Sequence, residues 1–494
     1  MLPSTIAVRR VAAIASLFLG LDRRAASSLT EQIANALRDA IAGRVLAPGT
    51  RLPAARALAA ELAVSRTTIV AALTTLIEEG LLATRARSGT FVAEELPAER
   101  APATLPVAGR RSPLRLARRT EELARATTAP DSPRPRPLAF RLSRPALDAF
   151  PVRTWSRLLT KRTMRVTAAQ LDYGQESPDL RAVIADLASA ARGMRVHAEQ
   201  VFIFGGGQRA LEFAAGAILD PGDEAWMEDP GYPGARHVLV AAGARVHPVP
   251  VDAQGLRVAD GAAAAPHARL VYVTPSCQFP LGVTLSLPRR RQLLRFAESA
   301  GAAIIEDDYD AEFRHAGAPL PALSALDPGR VLYASSFSRT MFPALRLGYL
   351  VVPEGLVDRL RAARATMEEA LPVIVQLALA DFIAEGHYVR HLRRMRVIYR
   401  ARRDALVAAA SAHGLRVRPA LAGLHVVVDL PRSADARVVS AAAALRGVEA
   451  APLADYYAGG QGSPPALVLG FGAVHESRVA DAVERLALAV GDAR

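Results

Sequence analysis

The sequence predicts two folded modules of different class: a small all-α module closed by a two-stranded wing, and a larger α/β module ending in a C-terminal α+β subdomain. Three observations carry this. Residues 29–92 place apolar side chains at helical spacing between short turns, and residues 94–137 are too rich in proline and arginine to build a core. From residue 138 onward, short β-branched runs alternate with helix-length Ala/Leu/Arg stretches, the pattern of a mostly parallel sheet covered on both faces.

With 494 residues, 51% hydrophobic and 22% charged, the chain can bury a sizeable core, which excludes a disulfide-stapled miniprotein and a wholly disordered chain. Lys plus Arg is 61 against 48 acids, a net charge of +13, and Lys161 is the one lysine among them, leaving 60 arginines. Arginine so widely scattered reads as a coding bias, so basicity permits a nucleic-acid partner without establishing one. The single cysteine, Cys277, excludes an internal disulfide and a cysteine-rich metal site, and it suits a reducing cytoplasm; no metal is expected. Arg9, Arg10 and the apolar run 11–21 resemble a secretory leader superficially. The run is short for a membrane span, precedes Asp22, Arg23 and Arg24, and lacks a persuasive cleavage site, so residues 1–28 read as an amphipathic or disordered lead-in and no membrane partner is expected.

The elements follow in order. Helices are expected over 28–44, 54–62 and from Ser65 or Arg66 to 79. The last two are separated by only Ala63-Val64-Ser65, where Val64 plugs the core and Ser65 caps the next helix, leaving Arg66, Thr67 and Thr68 on its exposed first turn. Gly80 ends that helix, and 81–92 alternates as two strands around Arg85, Arg87, Ser88 and Gly89, a basic tip suited to a groove or to phosphates. Residues 96–137 hold eight prolines and nine arginines against four acids; the stretch reads as a semi-extended tether with one helix around 114–126, although a basic arm that itself touches DNA stays open. Strands are expected at 201–204, 225–228, 244–249, 269–273, 302–306, 331–335 and 347–352. The subdomain from 354 has a long charged helix at 388–410, a strand at 424–430, a helix at 434–446, a strand at 466–471 and a closing helix at 476–490. The domains are thus 29–93, the linker 94–137, and 138–494, with the large part at about 170–353 and the small one at 354–494.

The run APGTRLPAARALAAELAVSRTTIVAALTTLIEEGLLATRARSGTFV resembles the GntR-type winged helix-turn-helix. That resemblance implies double-stranded operator DNA as partner, with Arg56, Arg66, Thr67, Thr68, Gly89 and Thr90 in contact with it; Arg51, Ser65, Arg85 and Arg87 complete the expected face. Ala54 stands where the family usually has serine, and Leu73 where it often has tyrosine.

Beyond the linker the chain resembles the fold type I aminotransferases, which use pyridoxal 5'-phosphate (PLP), and the fusion resembles MocR/GabR-type transcriptional regulators. The stretches FPVRTWSRLL, LDYG, GGGQRALEFAAGAILDPGDEAWMEDPGYPGAR, YVTPSCQFPLGVTLS, IIEDDYDAEFR, YASSFSRTMFPALRLGYL and GHYVRHLRRMRVIYRARRDAL carry it. Gly206, Gly207 and Gln208 lie between a strand and a helix, where backbone N–H groups cradle a phosphate. The resemblance assigns Asp307 to the pyridine nitrogen, Tyr309 to the phenolic oxygen and Tyr232 to the ring face. It assigns Arg346 to the phosphate with Ser336 and Ser338, and Tyr173 to the phosphate of a neighbouring subunit in a homodimer. Asp308 or Asp310 is expected only to cap a turn, and Cys277 to be either a packed residue or a cofactor-side one.

One departure is central. The family pattern SFSKT reads Ser336-Phe337-Ser338-Arg339-Thr340, so Arg339 stands at the Schiff-base position, and a guanidinium that stays protonated cannot act as the nucleophilic amine. Lys161 lies in the helix after FPVRTW, well before the sheet, and is not a substitute. Phe204 and Gly205 replace the usual small polar pair, Cys277 a histidine, and the YGQESPDLR loop is about two residues short of the family's. No arginine occurs between Gly447 and Ser477, where the family clamps a substrate carboxylate. The expected function is a DNA-binding regulator, catalytically inactive, whose large domain senses an amine, an amino acid or a PLP-like effector, with PLP bound noncovalently. Two alternatives stay open: an aminotransferase fused to a DNA module, and a domain that serves only as a dimerisation scaffold.

Overall fold

The computed structural model describes residues 21–22, 25, 27–85, 88–94, 116–117, 120–121, 138–170, 172, 176–315, 317, 320–366, 371–459 and 463–492. The lead-in up to residue 20 and most of the expected linker lie outside the described residues, and of the helix expected around 114–126 only 116–117 and 120–121 are described. The chain divides into two units, Met1–Arg115 and Leu116–Arg494.

In the first unit Ser28 and Glu31 form a reciprocal cap, Glu31 N–H donating to Ser28 Oγ at 3.2 Å and Ser28 N–H to the Glu31 carboxylate at 2.9 Å, which starts the helix Leu29–Ala42. Its buried face, Ile33, Ala34, Leu37, Ala40 and Ile41, has the helical spacing that the sequence shows and packs on Leu58, Ile69, Leu73 and Leu76. Helices Ala55–Glu61 and Arg66–Glu78 follow, and strands β1 (Leu82–Arg85) and β2 (Gly89–Val92) pair antiparallel, Leu82 opposite Val92 and Arg85 opposite Gly89. The sequence did not reveal that Thr50–Leu52 joins the wing: Leu52 N–H donates to the Thr90 carbonyl and Val92 N–H to the Thr50 carbonyl, both at 2.9 Å. A single bridging residue, Arg51 opposite Phe91, is too short to leave a periodic trace.

Ala54 is the N-cap of Ala55–Glu61 and offers no side-chain acceptor. Its backbone is already extended (φ −60°, ψ 142°), so Ala54→Ser is expected to stabilise this unit by about 1 kcal/mol. Scanning calorimetry of the full chain checks it, the upward shift being confined to the transition of the winged unit.

In the second unit strand β3 (Val201–Phe204) precedes β4 (Glu224–Asp229), β5 (Arg245–Asp252), β6 (Gly255–Leu256), β7 (Leu270–Val273), β8 (Ala303–Asp308), β9 (Val331–Ser336) and β10 (Gly348–Val351). They form one sheet in the order β3-β10-β9-β8-β7-β4-β5-β6. Pairings from β9 across to β5 are parallel, whereas β10 runs antiparallel to both β9 and β3. The reversal has a simple cause. Only residues 337–347 connect β9 to β10, with a one-turn helix Phe337–Thr340 between them, too little chain for a parallel crossover. Alternate residues serve the two faces, as a doubly covered sheet requires: Phe202 and Phe204 enter one core with Leu211 and Phe213, Val201 and Ile203 another with Ile184, Leu379 and Tyr399.

The long helix His387–Ala412 leads to a four-stranded antiparallel sheet, β11 (Arg416–Val417), β12 (His425–Asp429), β13 (Ala451–Pro452) and β14 (Ala466–Gly470), in the order β11-β12-β14-β13. Helices Ala436–Leu445 and Val479–Asp492 cover it. The sequence indicates β12 and β14 but not the two-residue β6, β11 and β13, which are too short to alternate. Among the described residues no helix is long and apolar enough to cross a membrane, and no group of three metal-ligating side chains comes together.

Candidate functional site

The helix Arg66–Glu78 opens on a cluster of hydroxyls. Thr68 N–H donates to Ser65 Oγ at 3.0 Å, and that oxygen lies 2.7 Å from both Thr67 Oγ1 and Thr68 Oγ1. Arg66 and Thr67 are exposed, as is Arg56 on the preceding helix, and Thr68 is half-buried. Arg51 lies against the wing, where a Cβ on Gly89 would stand 3.4 Å from its Nε. Arg85 is partly spent within the wing: it pairs with Glu94 at 2.8 Å and covers the Phe91 ring at 4.8 Å. Thr90 is half-buried and faces Thr84 in the strand pair. Arg87 lies outside the described residues.

The second site is built by the register of the large sheet. Gly348 sits opposite both Phe204 and Ser336, while Asp307 and Asp308 sit opposite Ala334 and Ser335. The turn after β3, the end of β9 and the end of β8 therefore share one edge, the carboxyl ends of the parallel strands. Gly206 has φ +122°, which favours glycine, and caps the helix Gly207–Ile218, leaving first-turn N–H groups free of helical partners. Gly348 allows the close approach: a Cβ there would meet Gly206 C and Gly207 N at 2.7 Å. A Cβ on Gly206 would lie 3.9 Å from Arg346 Cζ and one on Gly207 3.3 Å from Ser336 Cβ, so arginine and serine flank the glycine turn. Ser336 caps the helix Phe337–Thr340, accepting from Ser338 N–H at 3.1 Å and donating to Ser338 Oγ at 3.0 Å. Arg346 is exposed, at φ +51°.

Gln208 donates to the Gly234 carbonyl at 3.0 Å and accepts from Tyr232 OH at 3.4 Å, which ties the glycine turn to the Tyr232 loop. Asp307 accepts from Tyr272 OH at 2.7 Å; burial pushes its carboxyl up to about 6, against the pull of that hydrogen bond and of Arg339. Tyr309 OH donates to the Cys277 carbonyl at 2.7 Å. Cys277 is buried, and burial pushes its thiol up to about 12, so it stays protonated at neutral pH. Tyr173 lies outside the described residues.

Arg339 meets a set of partners that the sequence did not indicate. Its guanidinium donates to Asp310 Oδ2 at 2.8 Å and to Ser143 Oγ at 2.9 Å, and its Cζ lies 4.6 Å over the Tyr309 ring. Asp310 is fully buried and also accepts from Leu424 N–H at 3.3 Å. The expectation that Asp308 or Asp310 only caps a turn is therefore wrong for both: Asp308 pairs with buried Arg192 at 2.7 Å and accepts from Tyr333 OH at 2.6 Å. Buried carboxylates that close to arginines neutralise charge instead of ending a loop. Phe279 was also missed. Its ring packs edge-on to Tyr232, Tyr309 and Tyr456 at 6.0, 6.2 and 5.2 Å and joins the aromatic walls of the cleft. An apolar residue in a loop carries no sequence signal for such a role.

Lys161 is engaged elsewhere, on the helix Val152–Thr163: its ammonium lies 3.0 Å from Glu385 and 3.2 Å from Asp381, partners that belong to the helix Val373–Ala384 and its C-cap.

Residues 29–92 match the model of the bacterial regulatory proteins of the gntR family, and residues 151–457 that of the aminotransferase class I and II family. The probable rhizopine catabolism regulatory protein MocR of Rhizobium meliloti is 38% identical over 95% of both chains. The pyridoxine biosynthesis transcriptional regulator PdxR of Corynebacterium glutamicum is 30% identical over 94% of this chain and 96% of its own. Among solved structures, the α-aminoadipate aminotransferase LysN of Thermus thermophilus is 27% identical with a TM-score of 0.65, covering 76% of this chain and 95% of that one.

Proposed function

The chain belongs to the MocR-type regulators, a gntR-type DNA-binding domain fused to an aminotransferase class I and II domain, and from that premise we propose that its large unit senses a ligand without catalysing transamination. The carrying observation is the state of Arg339: a cation held by Asp310 and Ser143 above Tyr309, at the position where the family's amine would form a covalent bond. Burial works against its charge, yet Asp310 and the surrounding tyrosines hold its pKa above the ordinary arginine value, so no neutral nitrogen is available as a nucleophile.

The remaining residues fit PLP held noncovalently. Gly206, Gly207, Gln208, Ser336, Ser338 and Arg346 would take the phosphate, since the glycine turn leaves a cradle that a Cβ would fill and Arg346 has no acidic partner among the described residues. Asp307 would face the pyridine nitrogen and Tyr232 the ring, with Tyr173 reaching in from a second copy of the chain. When bound, the cofactor supplies a ring that withdraws electrons from a bonded amine. In this chain Arg339 offers no amine for that bond, and its charge is already met by Asp310. We place the ligand class among amines, amino acids and PLP-like molecules, and the DNA contacts on Arg51, Arg56, Ser65, Arg66, Thr67, Thr68, Arg85, Arg87, Gly89 and Thr90 of a homodimer.

Titration of the full chain with PLP, followed by borohydride and peptide mapping, tests the reading. The expected result is no reducible adduct in the parent chain and a covalent adduct at position 339, with a new visible absorbance band, in Arg339→Lys. An adduct in the parent at 339 or at Lys161 overturns it.

A further inference from the structure

A pocket of about 180 Å³ lies between Pro151 and Thr154 at the start of the helix Val152–Thr163 and His387, Arg390, His391 and Arg394 on the helix His387–Ala412. One of its lining residues, His391, carries an unsatisfied polar atom. His391 is only 6% exposed; its Nε2 lies 2.9 Å from the Thr340 carbonyl, and its Nδ1, also buried, has no partner. A carbonyl only accepts, so Nε2 carries the hydrogen and Nδ1 presents a lone pair. Burial lowers the pKa of His391, which keeps the ring neutral.

The rim is cationic. Arg394 is exposed and has no acidic partner among the described residues. Arg390 donates to His387 Nδ1 at 2.7 Å and to the Glu385 carbonyl at 3.2 Å, neither of which neutralises it. The Glu385 carboxylate is taken by Lys161 at 3.0 Å and by His387 at 3.2 Å. The pocket thus joins two uncompensated guanidinium groups, a threonine hydroxyl and a buried acceptor that needs a hydrogen-bond donor.

We propose that this pocket binds hydrogen phosphate, an oxyanion that keeps a hydroxyl hydrogen at neutral pH. Its anionic oxygens meet Arg390, Arg394 and Thr154, and its remaining O–H donates to His391 Nδ1. Sulfate has the same shape and charge but no hydrogen to donate, and would leave Nδ1 unpaired.

The test is calorimetric titration of the full chain at constant ionic strength in the Arg346→Gln background, which disables the glycine-turn site as a competing phosphate cradle. Phosphate is expected to bind at least about tenfold more tightly than sulfate, and Arg394→Gln to weaken phosphate by at least about tenfold. His391→Phe is expected to bring phosphate down to the sulfate level. Equal affinity for the two anions, phosphate binding unchanged by Arg394→Gln, or no saturable binding at millimolar phosphate overturns the proposal. The PLP reading stands or falls separately, because its adduct is read at position 339.

Discussion

Arg339→Ala is expected to destabilise the large unit by about 3 kcal/mol at pH 8, the loss typical when one partner of a buried ion pair is removed. Asp310 has no exposed surface, and among the described residues Arg339 is its one cationic partner at hydrogen-bond distance. The pH dependence separates this cause from lost packing. Burial already raises the Asp310 carboxyl to about 6 in the folded chain against an ordinary 3.8, and the Arg339 charge limits that rise. A raised folded pKa means that the stability contributed by the protonated acid is complete below the ordinary value and is lost as pH climbs through the folded one. Without Arg339 the folded value moves higher still. Parent and variant then both hold Asp310 protonated at pH 5 and differ little through it, and the deficit opens above pH 6. Urea unfolding followed by tryptophan fluorescence measures it cleanly, because both tryptophans, Trp155 and Trp226, belong to the large unit. Asp310→Asn added to Arg339→Ala should recover most of the loss at pH 8; a deficit independent of pH would assign it to packing instead.

Arg66→Ala should weaken binding to DNA from the region upstream of the protein's own gene by about tenfold to a hundredfold, the range for losing one bidentate contact with a base. The side chain is exposed on the first turn of its helix, and the cap beneath it depends on Ser65, so the substitution leaves the unit folded. Arg51→Ala is a useful contrast. Its guanidinium lies against wing Gly89, a position suited to the phosphate backbone, and its loss should reduce the salt dependence of log K by about one unit across all sequences. A gel-shift series at several salt concentrations reads both effects, and unchanged affinity for Arg66→Ala would refute the assigned recognition helix.

Much of the fold was legible because it rests on local chemistry. Ser28 with Glu31, and Ser65 before Arg66, are helix starts written in residue type, and runs such as 201–204 and 331–335 are long enough for β-branched side chains to mark them. The cleft was legible only in part. Gly206, Ser336, Asp307 and Arg346 are named through the resemblance to the aminotransferases, and the sheet register brings their segments to one edge. Tyr272, Phe279 and Asp310 were not recognised. Each takes its role from a neighbour far along the chain: Asp307 for Tyr272, Tyr232 for Phe279 and Arg339 for Asp310. No short window of sequence contains both members of such a pair.

The same division holds for the oddest feature of the composition, 60 arginines and one lysine. The sequence by itself determined that position 339 carries a guanidinium, and therefore that an amine's chemistry is missing there, because protonation state and nucleophilicity belong to the residue type. Tertiary structure alone decided what that guanidinium does. Folding removes Asp310 from water and sets it 2.8 Å from Arg339, and a buried carboxylate without its cation would be costly, so burial makes that guanidinium part of the core.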